Sequence, residues 1–395
     1  MNESIRYPPT STQFSTELQQ YFTGLFGEAR TSALGAALCG PGEFFFLRTN
    51  TLRTNSKDLV ALLDEEGVES KIYDSSLDVV AIPIQKRGSV PLHDKVVVAD
   101  KPSSENVLLG SHLFRPGVRR FTRFRAGDAI TVVNPRGHIV GSGVASVDSS
   151  ELSELKRGLV VQITESFYNL PSLVDLEAYK AGFFYSQSFP AILVAPILNP
   201  QPNEVIIDFC AAPGGKTTHI AQLTENQCNL VAVDRSTRRL ERLEEEAKRL
   251  GVKCVKPFAG RAQQFLAEHQ DIKADRVLVD PPCTALGVRP KLFDTTTLAR
   301  IRSTANYQQM ILDSASEALR PGGVLVYSTC TLSWEENERN ISYLLNAKGF
   351  TLVPQRFNLG EKGIGEDSHV RQLVQRFYPD MHNLPGYFIA KLQKK

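Results

Sequence analysis

The stretch Val205-Ile206-Ile207-Asp208-Phe209-Cys210-Ala211-Ala212-Pro213-Gly214-Gly215-Lys216-Thr217-Thr218-His219 decides the fold. An unbroken run of apolar β-formers reads as a strand buried on both faces. A loop of small residues follows, then a helix start. Glycines at that point let the backbone approach a ligand at the helix N-terminus. Two ligands compete for such a turn. A phosphate-binding P-loop ends in Gly-Lys-Thr, as here, but its first glycine would fall at Cys210, so that motif fails and an NTPase is disfavoured. A Rossmann-type nucleoside site needs an acid about 20 residues on, at the tip of the next strand. Leu230-Val231-Ala232-Val233-Asp234 supplies it. The GxGxxG fingerprint is absent, which disfavours NAD. S-adenosylmethionine, a nucleoside without phosphate, fits the loop and the acid better.

Downstream the same texture continues. A helix is expected over 236–250, a strand over Val252–Val255, a strand over 276–279, a helix near 304–319 and a strand over 324–327. Strands alternating with helices predict an α/β, doubly wound, Rossmann-like sheet. Two polar motifs end adjacent strands of it. Asp280-Pro281-Pro282-Cys283 follows Arg276–Val279, and Ser328-Thr329-Cys330 follows Val324–Tyr327. Ligands of open α/β sheets bind outside the carboxyl ends of the strands. Two thiols and a carboxylate therefore face one crevice. A free cysteine is more often core than catalyst, but polar motifs at two strand ends point to chemistry on an electrophilic ring carbon.

Upstream, Leu18, Tyr21, Phe22 and Leu25 recur at helical spacing in an amphipathic lead-in to about residue 40. Phe44–Asn50 reads as a strand, Ser56–Glu65 as a helix with Ser56 as N-cap, and Val79–Ile82 as a strand. From 94 to 166 short β runs between turns, such as Asn134-Pro135-Arg136-Gly137, predict a small β-barrel. Within it Arg115, Arg119, Arg120, Arg123 and Arg125 interleave with Phe114, Phe121 and Phe124. Such a run pairs phosphates and stacks bases; a solvated basic loop is the plainer alternative. Residues 173–203 read as helical. The division expected is 1–93, 94–166 and 167–395.

The 395 residues carry a formal charge of +2, so only a local patch could bind nucleic acid. The six cysteines include no CxxC pair, and no metal site is expected. The start, Met1-Asn2-Glu3-Ser4-Ile5-Arg6, has no signal-peptide core, and no apolar run is long enough to span a bilayer. A cytoplasmic protein with free thiols and no membrane contact is expected. Cys39, Cys210, Cys228 and Cys254 read as structural; His219, His369 and His382 are isolated and carry no role.

Asp208-x-Cys210-Ala211-Ala212-Pro213-Gly214-Gly215-Lys216-Thr217, Asp280–Cys283, Ser328–Cys330 and Glu336-Asn337-Glu338 resemble the motifs of the Sun-domain (RsmB-like) RNA cytosine-5 methyltransferases. Phe46–Leu52 is similar to the N-terminal RNA-binding element of that family, and Gly386–Ala390 to its last strand. Residues 94–166 resemble a PUA domain, through Leu108–Leu113 and Arg125–Asp128. The branch with an inserted PUA domain methylates cytosine 72 of tRNA, and its PUA domain reads the CCA tail. The resemblance implies that Ala211, Ala212, Pro213, Gly214, Gly215, Lys216, Thr217, Asp234 and Arg239 hold S-adenosylmethionine. Asp280 would border both cofactor and base. Cys330 would be the nucleophile on carbon 6, Asp280 and Lys216 would hold the ring edge, and Cys283 would assist proton loss and release of Cys330. The partner would be tRNA, through its acceptor stem and CCA end, and the enzyme a monomer. An rRNA cytosine-5 methyltransferase and a non-catalytic RNA-binding scaffold are the alternatives. Two positions depart from the family pattern. Ala259 stands where many relatives carry an acid for the adenine amino group, and Gln187-Ser188 stands for Gln-Asp.

Overall fold

The structure is a computed structural model and describes residues 5–395. Its largest sheet has nine strands. They are β1 (Val205–Phe209), β2 (Asn229–Asp234), β3 (Val255–Ala259), β4 (Ala274–Val279), β5 (Leu319–Thr329), β6 (Phe350–Leu352), β7 (Glu361–Lys362), β8 (Gln375–Phe377) and β9 (Tyr387–Lys394). The order is 3-2-1-4-5-9-8-7, with β6 also on β9. Strands β1 to β5 are parallel, and β9 adds antiparallel to β5. Strand order reverses between β1 and β4, which puts the ligand crevice at their carboxyl ends.

Helices cover both faces: α1 (Gly215–Leu223), α2 (Thr237–Leu250), α3 (Ala262–Glu268), α4 (Leu298–Ala318) and α5 (Glu338–Ala347). Alternate strand residues feed opposite cores. Ile206, Leu230, Leu278 and Val326 pack against α1 and the helix Phe189–Leu198. Ile207, Val231, Val277 and Val279 pack against Phe265 of α3 and Ile311, Leu312 and Ala315 of α4. The α2 sequence shows why it is a helix. The Ser236 side chain caps Arg239 N, Leu240, Leu243, Ala247 and Leu250 form its buried stripe, and Gly251 ends it at φ 75°.

Three sequence expectations need correction here. Strand β3 runs from Val255, not Val252, and includes Pro257. It pairs only with β2, and an edge strand tolerates a missing N–H. Helix α4 begins at Leu298, capped by the Thr297 side chain, well before the expected start near 304. The region 173–203 is not continuously helical: Phe184–Ser186 is a strand, and only Phe189–Leu198 is a long helix.

That strand completes the N-terminal sheet, whose order is Phe184–Ser186, Phe44–Thr49, Val79–Pro83, Lys71–Asp74. Its helix Ser56–Glu65 is capped by Asn55, which accepts from Lys57 N and Asp58 N, rather than by Ser56. Ser56 Oγ turns inward to Thr49 Oγ1 at 3.0 Å. The lead-in forms two helices, Thr16–Phe26 and Glu28–Cys39, broken at Gly27 with φ 81°. Their Leu18, Phe22, Leu34 and Leu38 pack on Leu286 and Leu332, just beyond the two cysteine motifs. The barrel is a six-stranded sheet around Val97, Ile130, Val132, Val140 and Val160, and Leu292 and Phe293 of the catalytic region enter that core. No helix among the described residues is long and apolar enough to cross a membrane. Among the same residues no group of His, Cys, Asp and Glu could hold a metal ion.

Candidate active site

The loop after β1 is built to admit a ligand. Cys210 takes the left-handed region at φ 69°, and Gly214 follows at φ 109°. A Cβ on Gly214 would meet Leu243 Cγ at 3.0 Å, and one on Gly215 would meet Tyr185 Cε1 at 2.9 Å. Only glycine keeps that turn and that packing. Thr217 faces inward, donating to Asp208 Oδ2 at 2.6 Å and to the Ala211 carbonyl at 3.3 Å. Asp208 is buried and its second oxygen lacks a partner; burial pushes its carboxyl up to about 7.

Asp234 ends β2, one strand away. It accepts from Ala212 N at 3.3 Å and Ser236 N at 3.0 Å, and Arg239 Nη1 lies 3.3 Å from its Oδ2. Arg239 also donates to the Ala212 carbonyl. Thus loop, acid and arginine are brought together, as the sequence predicted. The cleft beside them is walled by Phe209, Cys210, Asp234, Gly260, Pro282, Tyr307 and Ile311. Ala259 lies at the tip of β3, opposite Asp234 in register, and its methyl offers no acceptor. The residues present fit a nucleoside: a carboxylate for ribose hydroxyls, a glycine cradle, and apolar walls for a flat base.

At the other side of this crevice the two thiols meet. Cys283 Sγ and Cys330 Sγ are 3.2 Å apart, and both are free. Asp280 stands beside them. Its Oδ2 accepts from Lys216 Nζ at 2.6 Å, its Oδ1 from Ser328 Oγ at 2.7 Å and Tyr387 OH at 3.3 Å. Burial works against the Lys216 ammonium, but Asp280 holds its pKa above the usual lysine range. The hydrogen bond with Cys283 lowers the Cys330 pKa against burial and Asp280, and Lys216 and Lys291 add to the lowering. The same bond, burial and Glu336 hold Cys283 well above an ordinary thiol. The sequence-selected Lys216, Asp280, Cys283 and Cys330 form one cluster.

Comparison with known proteins decides the family. A profile described as 16S rRNA methyltransferase RsmB/F matches residues 195–393, and a PUA profile matches 95–167. A tRNA (cytosine(72)-C(5))-methyltransferase of Pyrococcus horikoshii is 43% identical over 96% of this chain and 97% of its own. The chain belongs to the RsmB/F methyltransferase family. The human tRNA (cytosine(72)-C(5))-methyltransferase NSUN6 is 31% identical over 93% of this chain and 87% of its own. A crystal structure of NSun6 from Pyrococcus horikoshii with SFG, an S-adenosylmethionine analogue, superposes with TM-score 0.87 at 42% identity, covering 96% of this chain and 98% of that one. The cofactor of this RsmB/F enzyme is S-adenosylmethionine.

Its PUA arginines do not form one uniform patch. Arg115 is half-buried and braces the barrel, donating from Nε to the Leu152 carbonyl at 2.7 Å. Arg119 is exposed and pairs with Asp100 at 2.9 Å. Arg120, Arg123 and Arg125 are exposed. Phe114 and Phe121 are exposed beside them, at 52% and 36%, whereas Phe124 is core. The Phe46–Leu52 element carries a buried arginine. Arg48 is 1% exposed and points inward, donating to Gln187 Oε1 at 3.1 Å, to the Gly215 carbonyl and to Thr218 Oγ1 at 2.9 Å. It ties the N-terminal sheet to the start of α1. Gln187 also reaches the Ala191 carbonyl at 3.0 Å, and Ser188 begins the next helix without a side-chain cap.

Sequence reasoning in this RsmB/F chain missed Ser328 and Tyr387 as partners of Asp280, and Lys291. Lys291 is buried, pairs with Asp294 at 2.6 Å, and donates to the Ala285 carbonyl at 2.9 Å, behind Cys283. A lysine and an aspartate three apart with two apolar residues between them, Lys291-Leu292-Phe293-Asp294, were the available signal.

Proposed function

We propose that the protein methylates carbon 5 of a cytosine at the acceptor end of tRNA, position 72, through a transient bond from Cys330 to carbon 6. One observation carries the chemistry: two thiols 3.2 Å apart at the carboxyl ends of β4 and β5, where Asp280 pairs with Lys216. End-to-end likeness to a tRNA (cytosine(72)-C(5))-methyltransferase, together with this chain's own PUA match, supports the substrate.

Carbon 5 of cytosine is a weak nucleophile until carbon 6 is saturated. In this reading the Cys330 thiolate adds to carbon 6, which makes carbon 5 enamine-like. Bound S-adenosylmethionine supplies an electrophilic sulfonium methyl. Asp280 and Lys216 orient the N3 and amino edge of the base as the ring gains charge. The carbon 5 proton then passes to solvent with Cys283 assisting, and the Cys330–carbon 6 bond breaks with Cys330 leaving as thiolate, which restores the ring. Cys283, within hydrogen-bond reach of that sulfur, assists its departure. The base must leave its stack, at a cost of a few kcal/mol, which is smallest at the end of a stem. Arg120, Arg123 and Arg125 would hold phosphates of the acceptor stem and CCA end. Cofactor contacts are assigned to Ala211–Thr217, Asp234, Arg239 and Asp280.

The test is transfer of label from S-adenosylmethionine to tRNA transcripts with and without CCA, followed by mapping of the modified nucleotide. Label at cytosine 72 that requires CCA supports the proposal. Label only on ribosomal RNA, or no transfer at all, overturns it in favour of an rRNA enzyme or a non-catalytic scaffold.

A further inference from the structure

The two cysteine loops share one buried carboxylate. Glu336 is fully buried in the turn after β5. Its Oε1 accepts from the Thr284 backbone N–H at 2.8 Å and from Gln308 Nε2 at 3.1 Å. Its Oε2 accepts from the Thr284 hydroxyl, from Ser333 Oγ at 2.7 Å and from Thr331 Oγ1 at 3.3 Å. Thr284 directly follows Cys283, Thr331 directly follows Cys330, and their hydroxyls are 2.8 Å apart. Gln308 donates in addition to the Pro282 carbonyl at 3.0 Å. Both sulfurs are therefore fastened, one residue away, to the same group.

Burial pushes the Glu336 carboxyl up, and the hydrogen bonds from Thr284, Ser333 and Gln308 oppose that and favour its ionised form. A buried charge persists where its lone pairs are all used. The charge is placed unevenly. The Cys283 loop gives Glu336 both the backbone N–H and the hydroxyl of Thr284, whereas the Cys330 loop gives it Thr331 Oγ1 at 3.3 Å and Ser333 Oγ at 2.7 Å. At Cys330 itself Asp280 opposes ionisation, and Lys216 and Lys291 favour it. A hydrogen bond between two thiols does not by itself choose its donor; an asymmetric field does.

We infer that Glu336 is a positioning residue that fastens the Cys283 loop to the Cys330 loop and makes Cys283 the thiol that keeps its proton. This inference rests on the reading of Cys330 as nucleophile. It deepens that reading by naming what separates two otherwise similar sulfurs. Glu336→Gln is the cleanest probe. The amide keeps an acceptor for the two N–H donors, and the hydroxyls facing its NH2 rotate to accept, so the charge goes while the geometry stays.

The experiment is iodoacetamide labelling of the full chain at neutral pH, with the two sites followed by peptide mass spectrometry. Wild type should label Cys330 before Cys283; the reverse order overturns the inference, whatever the variants do. In Glu336→Gln the ratio of Cys330 to Cys283 labelling should fall about tenfold, as for one pKa unit. An unchanged ratio in folded Glu336→Gln also overturns it. Methyl transfer by Cys330→Ala is measured in parallel. Turnover retained there would sink the nucleophile assignment while the labelling order stood, so the two failures are distinguishable.

Discussion

The catalytic sheet carries a pair of close thiols at each end. Cys283 and Cys330 lie 3.2 Å apart at the carboxyl ends of β4 and β5; Cys228 and Cys254 lie 3.7 Å apart at the amino ends of β2 and β3. In each pair the hydrogen bond from one thiol lowers the pKa of the other: Cys228 falls to about 7, and Cys330 falls below its ordinary value. By that measure the pairs are alike. Their surroundings are not. Cys228 sits among Ile220, Ala221, Leu230 and Val252, with Thr224 Oγ1 at 3.2 Å. Cys330 lies near Lys216, Asp280 and the Glu336 network at the carboxyl end of β5. Proximity and acidity make a thiol reactive; in the proposed mechanism a charged frame at the ligand edge of the sheet adds what catalysis needs.

The comparison breaks most readily through activity. Cys330→Ala should lower methyl transfer by on the order of a thousandfold or more, and Cys228→Ala by less than about twofold. Similar losses would erase the distinction. Next in size, Cys283→Ala should cut turnover on the order of a hundredfold and accumulate a protein–RNA adduct that survives denaturing gels. Cys254→Ala should give no adduct, and an adduct-free Cys283→Ala would remove its release role.

The acidity of the two pairs should also respond differently to charge. Lys216 favours the Cys330 thiolate, so removing it raises the Cys330 pKa. In Lys216→Ala the alkylation midpoint of Cys330 should move up by about one pH unit, while that of Cys228 stays. A fixed Cys330 midpoint would contradict the role of the frame. Smallest at either pair is the effect of the barrel. Charge reversal at Arg120 and Arg123 should weaken tRNA binding about tenfold and flatten its salt dependence, with alkylation of all four thiols unchanged. Unchanged binding would leave those arginines as surface.

Much of the site was legible in the sequence because its residues cluster at strand ends. The Ala211–Thr217 loop, Asp234, Asp280, Cys283 and Cys330 each follow an apolar run, and parallel strand order brings those ends together. What was not legible came from long-range pairing. Phe184–Ser186 looks helical in context, yet it pairs with Leu47–Thr49 across the whole barrel. Nothing in the sequence around Arg48 marks it as buried, yet its partners at 187, 215 and 218 bury it. Glu336 stands in a quoted motif, but only the fold shows its carboxylate facing both cysteine loops.

The most direct test uses tRNA carrying 5-fluorocytidine at position 72, incubated with the enzyme and S-adenosylmethionine. Fluorine blocks loss of the carbon 5 substituent, so the attacking sulfur stays on the base. Proteolysis and mass spectrometry should find the nucleotide on the peptide containing Cys330. A nucleotide on Cys283, or on no cysteine, would contradict the account.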